Sequence, residues 1–219
     1  MKHLVFFLFV LFFSCFREAQ DASYTDFVKS FKEEVSKNSV NFGEIAFRNS
    51  LPMTKQEALQ FVYDGDSSKL YCKQEIFNME TEKTSGISTE LYLPSKCLKI
   101  SSNDYMLIGY SEYRCQDPNE LLKIILRLSI VSNAYQVTDN LIAYQGSDYD
   151  FDTMGLISPT TGNILLVNVN QKNGKTDAFV YQVNTKTLKF EILKESLGVV
   201  GSTDNLLKLS ERLGWESLF

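Results

Sequence analysis

Chemistry in a protein needs side chains that trade protons, donate electron pairs or hold a metal, and this chain offers few arrangements of them. Its single histidine, His3, stands at the very start. The body of the chain therefore lacks imidazole, the one side chain whose unperturbed pKa lies near neutrality. That excludes Ser-His-Asp, Cys-His and histidine-metal sites. Gly86-Ile87-Ser88-Thr89-Glu90 begins like a nucleophile elbow but places Glu90 where the second glycine belongs. No Ser-x-x-Lys occurs. Gly174-Lys175-Thr176 looks like the end of a phosphate-binding loop, yet Val169 replaces the partner glycine five residues earlier, and the segment reads as a hairpin.

Three further groups carry some chemical promise. Asp148, Asp150 and Asp152 alternate as positions 1, 3 and 5 of a calcium loop do, but Thr153 replaces the required glycine and Pro159 the closing glutamate. Alternation with Tyr149 and Phe151 favours a strand edge with its acids to solvent over a weak cation site. Cys72, Cys97 and Cys115 permit one disulfide and leave one thiol over, or serve equally well as buried free thiols acting as small hydrophobes. Their spacing does not choose the pair and is too wide for a zinc site. Tyrosine is frequent, with 11 in the chain, and Tyr105, Tyr110 and Tyr113 cluster before Cys115. Tyrosines make good binding surfaces because they bring large area at low rotamer cost. Core positions in an alternating strand explain the cluster equally well, and that reading is preferred.

These side chains are positioned by a body that differs sharply from what precedes it. Lys2 is followed by an uninterrupted apolar run from Leu4 to Phe13, which Arg17 and Glu18 end. Such a run is too short to cross a bilayer, which takes about 20 residues, and reads as the apolar part of an export signal. Leu11-Phe12-Phe13-Ser14-Cys15 resembles a lipobox, in which the thiol of a cysteine takes a diacylglycerol and becomes the new N-terminus. The expected organisation is a signal peptide over 1–14, lipidated Cys15 and a spacer over 15–23, and a single globular domain over 24–219. Each buried acyl methylene contributes about 0.8 kcal/mol, so two or more chains make release slow. The alternative is an ordinary secreted chain, cut near Ala19 or Ala22. Through this leader the chain resembles uncharacterised bacterial lipoproteins. The resemblance covers the signal segment alone and transfers no functional residue.

Within the domain, Phe27, Val28, Phe31 and Val35 make one stripe of a helix over Thr25–Ser36. Gly43–Phe47 reads as a short strand. Thr54 with Glu57 is a capping box opening a second helix, whose apolar residues Leu59, Phe61 and Val62 precede the stop at Asp64-Gly65-Asp66. The period then falls to two. Strands are expected over 70–77, 88–93, 97–100, 105–113, 126–130, 137–144, 153–158, 163–170, 176–183 and 187–193, with turns at Ser102-Asn103-Asp104, Pro159–Gly162 and Asn173-Gly174. Phe179, Tyr181 and Val183 share one strand face, with Val180 and Gln182 on the other. Ser202 to Gly214 reads as a short C-terminal helix lined by Leu206, Leu209 and Leu213, with Trp215 as a packing plug beyond it.

The fold class expected is α+β: N-terminal helices packed on a mainly antiparallel meander, and a short C-terminal helix. With 22 basic and 27 acidic residues and no basic run, nucleic acid is excluded as a partner. The function expected is non-catalytic binding of a protein or glycan at the cell envelope, with the outer membrane or cell surface as location and no cofactor. The alternative is a glycan hydrolase built on two carboxylates, whose convergence across strands no sequence spacing reveals.

Overall fold

The computed structural model describes residues 23–34, 40–47, 51–78, 83–114, 122–146, 151–158, 161–170 and 174–200. The leader, Cys15, Cys115, Asp148, Asp150 and the C-terminal segment with Trp215 lie outside the described residues. The described chain is mainly antiparallel β with some helices.

Helix α1 (Tyr24–Lys29) is capped by Ser23, whose side chain accepts from Asp26 N. It is shorter than expected, because the chain turns at Ser30 and Glu33 bridges to Lys99. Strand β1 (Val40–Asn41) leads directly into helix α2 (Phe42–Phe47). The strand expected over Gly43–Phe47 is thus a helix. Asn41 Oδ1 accepts from Gly43 N at 2.8 Å, starting the turn, and Phe42, Ile45 and Ala46 are buried at helical spacing. Six residues are too few to display that period in a sequence. After β2 (Leu51–Pro52) comes helix α3 (Lys55–Phe61), with the expected Thr54–Glu57 capping box formed. A 3-10 turn (Ser67–Leu70) precedes the hairpin β3 (Tyr71–Asn78) and β4 (Lys83–Leu91), which forms its own two-stranded sheet.

The remaining strands are β5 (Ser95–Ser101), β6 (Tyr105–Arg114), β7 (Lys123–Ser132), β8 (Val137–Gly146), β9 (Phe151–Ile157), β10 (Ile164–Asn170), β11 (Lys175–Asn184) and β12 (Lys189–Val200). Each pairs antiparallel with the next, and β2 adds at the β5 edge. The local turn signals hold: Gly162 and Gly174 both adopt positive φ.

One joint in this meander is weak. Among the described residues β8 and β9 share only Gln145↔Thr153 and Gly146↔Phe151, so the strands splay away from that pairing. β1 occupies the vacated edge of β9 through Val40↔Ile157 and Asn41↔Leu156, and α2 fills the opening. The sheet curls so that its two halves share one core: Leu98, Leu107, Leu126, Leu128 and Ile130 from β5–β7 meet Ile157, Ile164 and Leu166 from β9–β10 around Phe42 and Ile45. A hydrogen bond from Phe190 N to Asp139 Oδ2 at 2.9 Å ties β12 back to β8. Gly155 is required where the packing is closest. A Cβ there would lie 2.3 Å from Leu165 O and 3.0 Å from the Phe42 ring.

The opposite, outer face of β6–β7 is half covered. Ile108 and Val131 are sealed by Phe27, Val28 and Phe31 from the α1 region and by Met53, Ala58 and Tyr63 around α3. The rings of Phe27 and Phe61 stack at 4.4 Å between centroids. Tyr181 and Val183 share one face of β11, as expected, and that face meets the shared core, while Ala178 and Val180 on the other face are also fully buried.

Candidate functional site

Where the helical cover ends, the outer face of β6–β8 opens into a cavity of about 530 Å3 lined by Val62, Tyr63, Ser68, Lys69, Tyr71, Tyr110, Glu112, Tyr113, Arg114, Arg127 and Asn140. That volume falls within the range of small-ligand sites, roughly 300–1,000 Å3. Strand geometry explains the lining. Side chains of β6 alternate, so Tyr105, Leu107 and Gly109 share a face with the inner core, while Met106, Ile108, Tyr110, Glu112 and Arg114 form the outer row. Along that row the character changes from apolar, under the helices, to charged at the open end.

In the cross-strand register Arg127 stands opposite Tyr110 and diagonal to Glu112, whose direct partner is Ile125. The Arg127 Nε–H donates to Glu112 Oε1 at 2.8 Å, an ion pair whose side chains are 28% and 9% exposed. This is the only hydrogen bond of the guanidinium among the described residues. Ser129 Oγ donates to Asn140 Oδ1 at 2.6 Å, which fixes the Asn140 amide and leaves its NH2 without an acceptor among the described residues. Lys69 sits 3.9 Å from Asp66 in an exposed pair, and Arg114 makes no ion pair among the described residues.

The phenols of this site hold their protons. Burial pushes Tyr63 well above the usual tyrosine range, and the nearby Glu112 carboxylate adds to the rise, with a backbone group of Tyr113 opposing part of it. The Tyr63 hydroxyl nevertheless lacks a hydrogen-bond partner of good geometry. Burial and Glu112 raise Tyr110, against the Arg127 charge and the Ser129 hydroxyl beside it. Burial also raises Tyr113. None of the three supplies a phenolate base or nucleophile near neutral pH.

No known protein family, curated protein or solved structure matches this chain. Its function is therefore read from the cavity itself.

Of the residues singled out in the sequence, Tyr110 lines this cavity, Tyr113 borders it while also packing against the inner core, and Tyr105 belongs to the inner core. The preference for core positions thus suits Tyr105 and Tyr113. Sequence reasoning missed Glu112, Arg127 and Asn140. Their signal was a parity effect: Glu112 and Arg127 fall on the face of β6 and β7 opposite the one that sends Leu107, Leu126, Leu128 and Ile130 into the inner core. Asp152 is half-buried and accepts at Oδ2 from Lys123 Nζ at 2.9 Å and Gln145 Nε2 at 2.8 Å, so it braces the β8–β9 corner. Burial raises its pKa, but these two donors outweigh that and leave it lowered. Gly86 to Glu90 and Lys175–Thr176 lie in strands β4 and β11 and are not among the residues that line the cavity. Among the described residues no group of acids, cysteines or histidines is gathered to hold a metal. Cys72 is buried and disulfide-bonded, its partner lying outside the described residues. Cys97 is not that partner: its thiol donates to Ser95 O at 3.3 Å.

Proposed function

We propose that this protein is an exported, lipid-anchored binding protein of the cell envelope, tethered through Cys15 and presenting the tyrosine-lined cavity of β6–β8 to a small ligand or to a glycan end. The observation that carries the binding reading is the state of the one carboxylate in the lining. Glu112 is held by Arg127 at 2.8 Å, and the surrounding phenols stay protonated. A hydrolase of sugars needs two carboxyl groups about 5 to 9 Å apart, one of them free to accept or deliver a proton. The cavity lining contains one, already engaged. The tether is supported by the short apolar run Leu4 to Phe13 ending at Ser14-Cys15. Among the described residues no helix is long and apolar enough to cross a membrane. For the whole chain the architecture we propose is α+β, with the short helix over Ser202–Gly214 completing the domain.

Fractionation tests the anchor. Expressed with its leader in a bacterial host, the wild-type chain should sediment with membranes and Cys15→Ala should move to the soluble fraction. A mutant that sediments like the wild type refutes the tether. Incubation with envelope glycans tests binding against catalysis. Turnover that disappears in Glu112→Gln would establish the hydrolase instead.

A further inference from the structure

From the balance of donors and acceptors in the cavity, we infer that its ligand is an anionic sugar: a carboxylate or phosphate carried on a saccharide ring. The inference rests on this cavity being the ligand site. The protein as a whole is acidic, with a formal net charge of −5, yet the cavity lining holds Arg114 and Arg127 against the single carboxylate Glu112, besides Lys69, which Asp66 outside the lining meets at 3.9 Å. A local excess of cations on an acidic body attracts a negatively charged group to this place and not to the surface at large.

Hydrogen-bond accounting gives the same sign. A guanidinium carries five N–H donors in a planar fork. Arg127 uses its Nε–H on Glu112, and its four Nη hydrogens have no acceptor among the described residues. Arg114 is exposed at the cavity edge, and among the described residues it has no ion pair and the Asn140 NH2 has no acceptor. The sole carboxylate is already engaged, so a ligand that brings only hydrogen-bond donors finds few acceptors here. A two-oxygen anion meets the Arg127 fork in the geometry that guanidinium groups favour.

The walls specify the ring. Tyr71 and Tyr110 line the cavity beside these cations. Phenol rings present flat apolar surface to the C–H face of a saccharide. Tyr71 is 42% exposed and its hydroxyl receives Lys55 Nζ at 3.2 Å, so the ring is held in place at the entrance. A bare inorganic ion would leave both tyrosines unused.

The test is titration of the purified protein with four probes, glucuronate, glucose 6-phosphate, glucose and inorganic phosphate, by calorimetry and by the ring resonances of Tyr71 and Tyr110. Glucuronate and glucose 6-phosphate are expected to bind, and to weaken as salt is raised. Glucose and inorganic phosphate should each bind at least about tenfold more weakly, the loss of one charge-assisted hydrogen bond or of one stacked ring. Arg114→Ala should weaken both acids about tenfold. Arg127→Lys, which keeps a cation beside Glu112 but removes the fork, should do at least as much. Glucose binding as tightly as glucuronate, phosphate as tightly as its sugar ester, or an unchanged affinity in both variants would overturn the assignment. In the first two cases the tyrosine shifts still mark a ligand site, and the broader binding reading survives. If none of the four probes moves those resonances, both readings fall together.

Discussion

Two ion pairs stand on the same outer face of the sheet and have opposite consequences. Lys96–Glu57 is closed off: Nζ lies 2.6 Å from Oε1, the lysine side chain is 5% exposed, and its ammonium also sits 5.4 Å from the centre of the Phe27 ring. Glu57 meanwhile serves as the return arm of the α3 capping box, accepting from Thr54 N at 2.8 Å. Helix start, strand β5 and the α1 packing are joined through one charge. Arg127–Glu112 has the same composition of one acid and one base, but it opens onto the cavity and its cation has donors to spare. A lysine presents a compact point charge that a single carboxylate occupies, whereas an arginine can be anchored by one edge and still offer the other. The first pair is architecture, and the second is a mounted recognition group.

The sharpest way to break this contrast is to remove each cation. Arg127→Met leaves Glu112, 9% exposed, without its only hydrogen-bond partner among the described residues. An uncompensated buried carboxylate costs about 3–5 kcal/mol, so urea unfolding should show a loss of that order. A loss under about 1 kcal/mol would mean that water already solvates Glu112 and that the pair is no anchor. Lys96→Met should cost less, about 2 kcal/mol, because Glu57 is 18% exposed and keeps its bonds from Thr54. Equal losses in the two variants would erase the distinction drawn here.

The smallest effect is one of pH. Burial raises the Glu57 carboxyl, but the Lys96 hydrogen bond, the Thr54 backbone N–H and the Lys96 charge outweigh it, leaving the folded pKa below the ordinary 4.5. A depressed folded value means that the unfolded chain takes up the proton first. The contribution is therefore complete above the unfolded pKa and is lost as pH falls through the folded one. Glu57→Gln should flatten the acid side of the stability curve, between about pH 5 and pH 3, relative to wild type. An unchanged acid limb would show that the pair is not what holds Glu57 ionised.

The difference between local and distant signals decides what could be read from the sequence. The β5–β12 meander was legible because each hairpin is specified within a few residues, as at Gly162 and Gly174, whose positive φ the turn requires. The Thr54–Glu57 cap was legible for the same reason. Helix α2 was not, since Asn41 starts it and its buried residues span barely more than one turn. The cavity was legible only through Tyr110 and Tyr113. Glu112 and Arg127 are 15 positions apart and meet on a diagonal of the β6–β7 ladder, which depends on register and on no motif. Splaying at the β8–β9 corner likewise leaves no mark in either strand's own pattern.

The segment that plugs this corner comes from the wrong end of the chain for convenience. Val40 and Phe42 leave the ribosome more than a hundred residues before Ile157, the neighbour that β1 must pair with. At roughly 5–20 residues per second, that interval is on the order of ten seconds. Throughout it Phe42 and Ile45 have no native pocket to enter, while the hairpins that follow can close one after another as they appear. An early-made part of the nascent domain is thus among the last to find its place, and a chaperone that shields those two side chains in the meantime would act where the need is greatest.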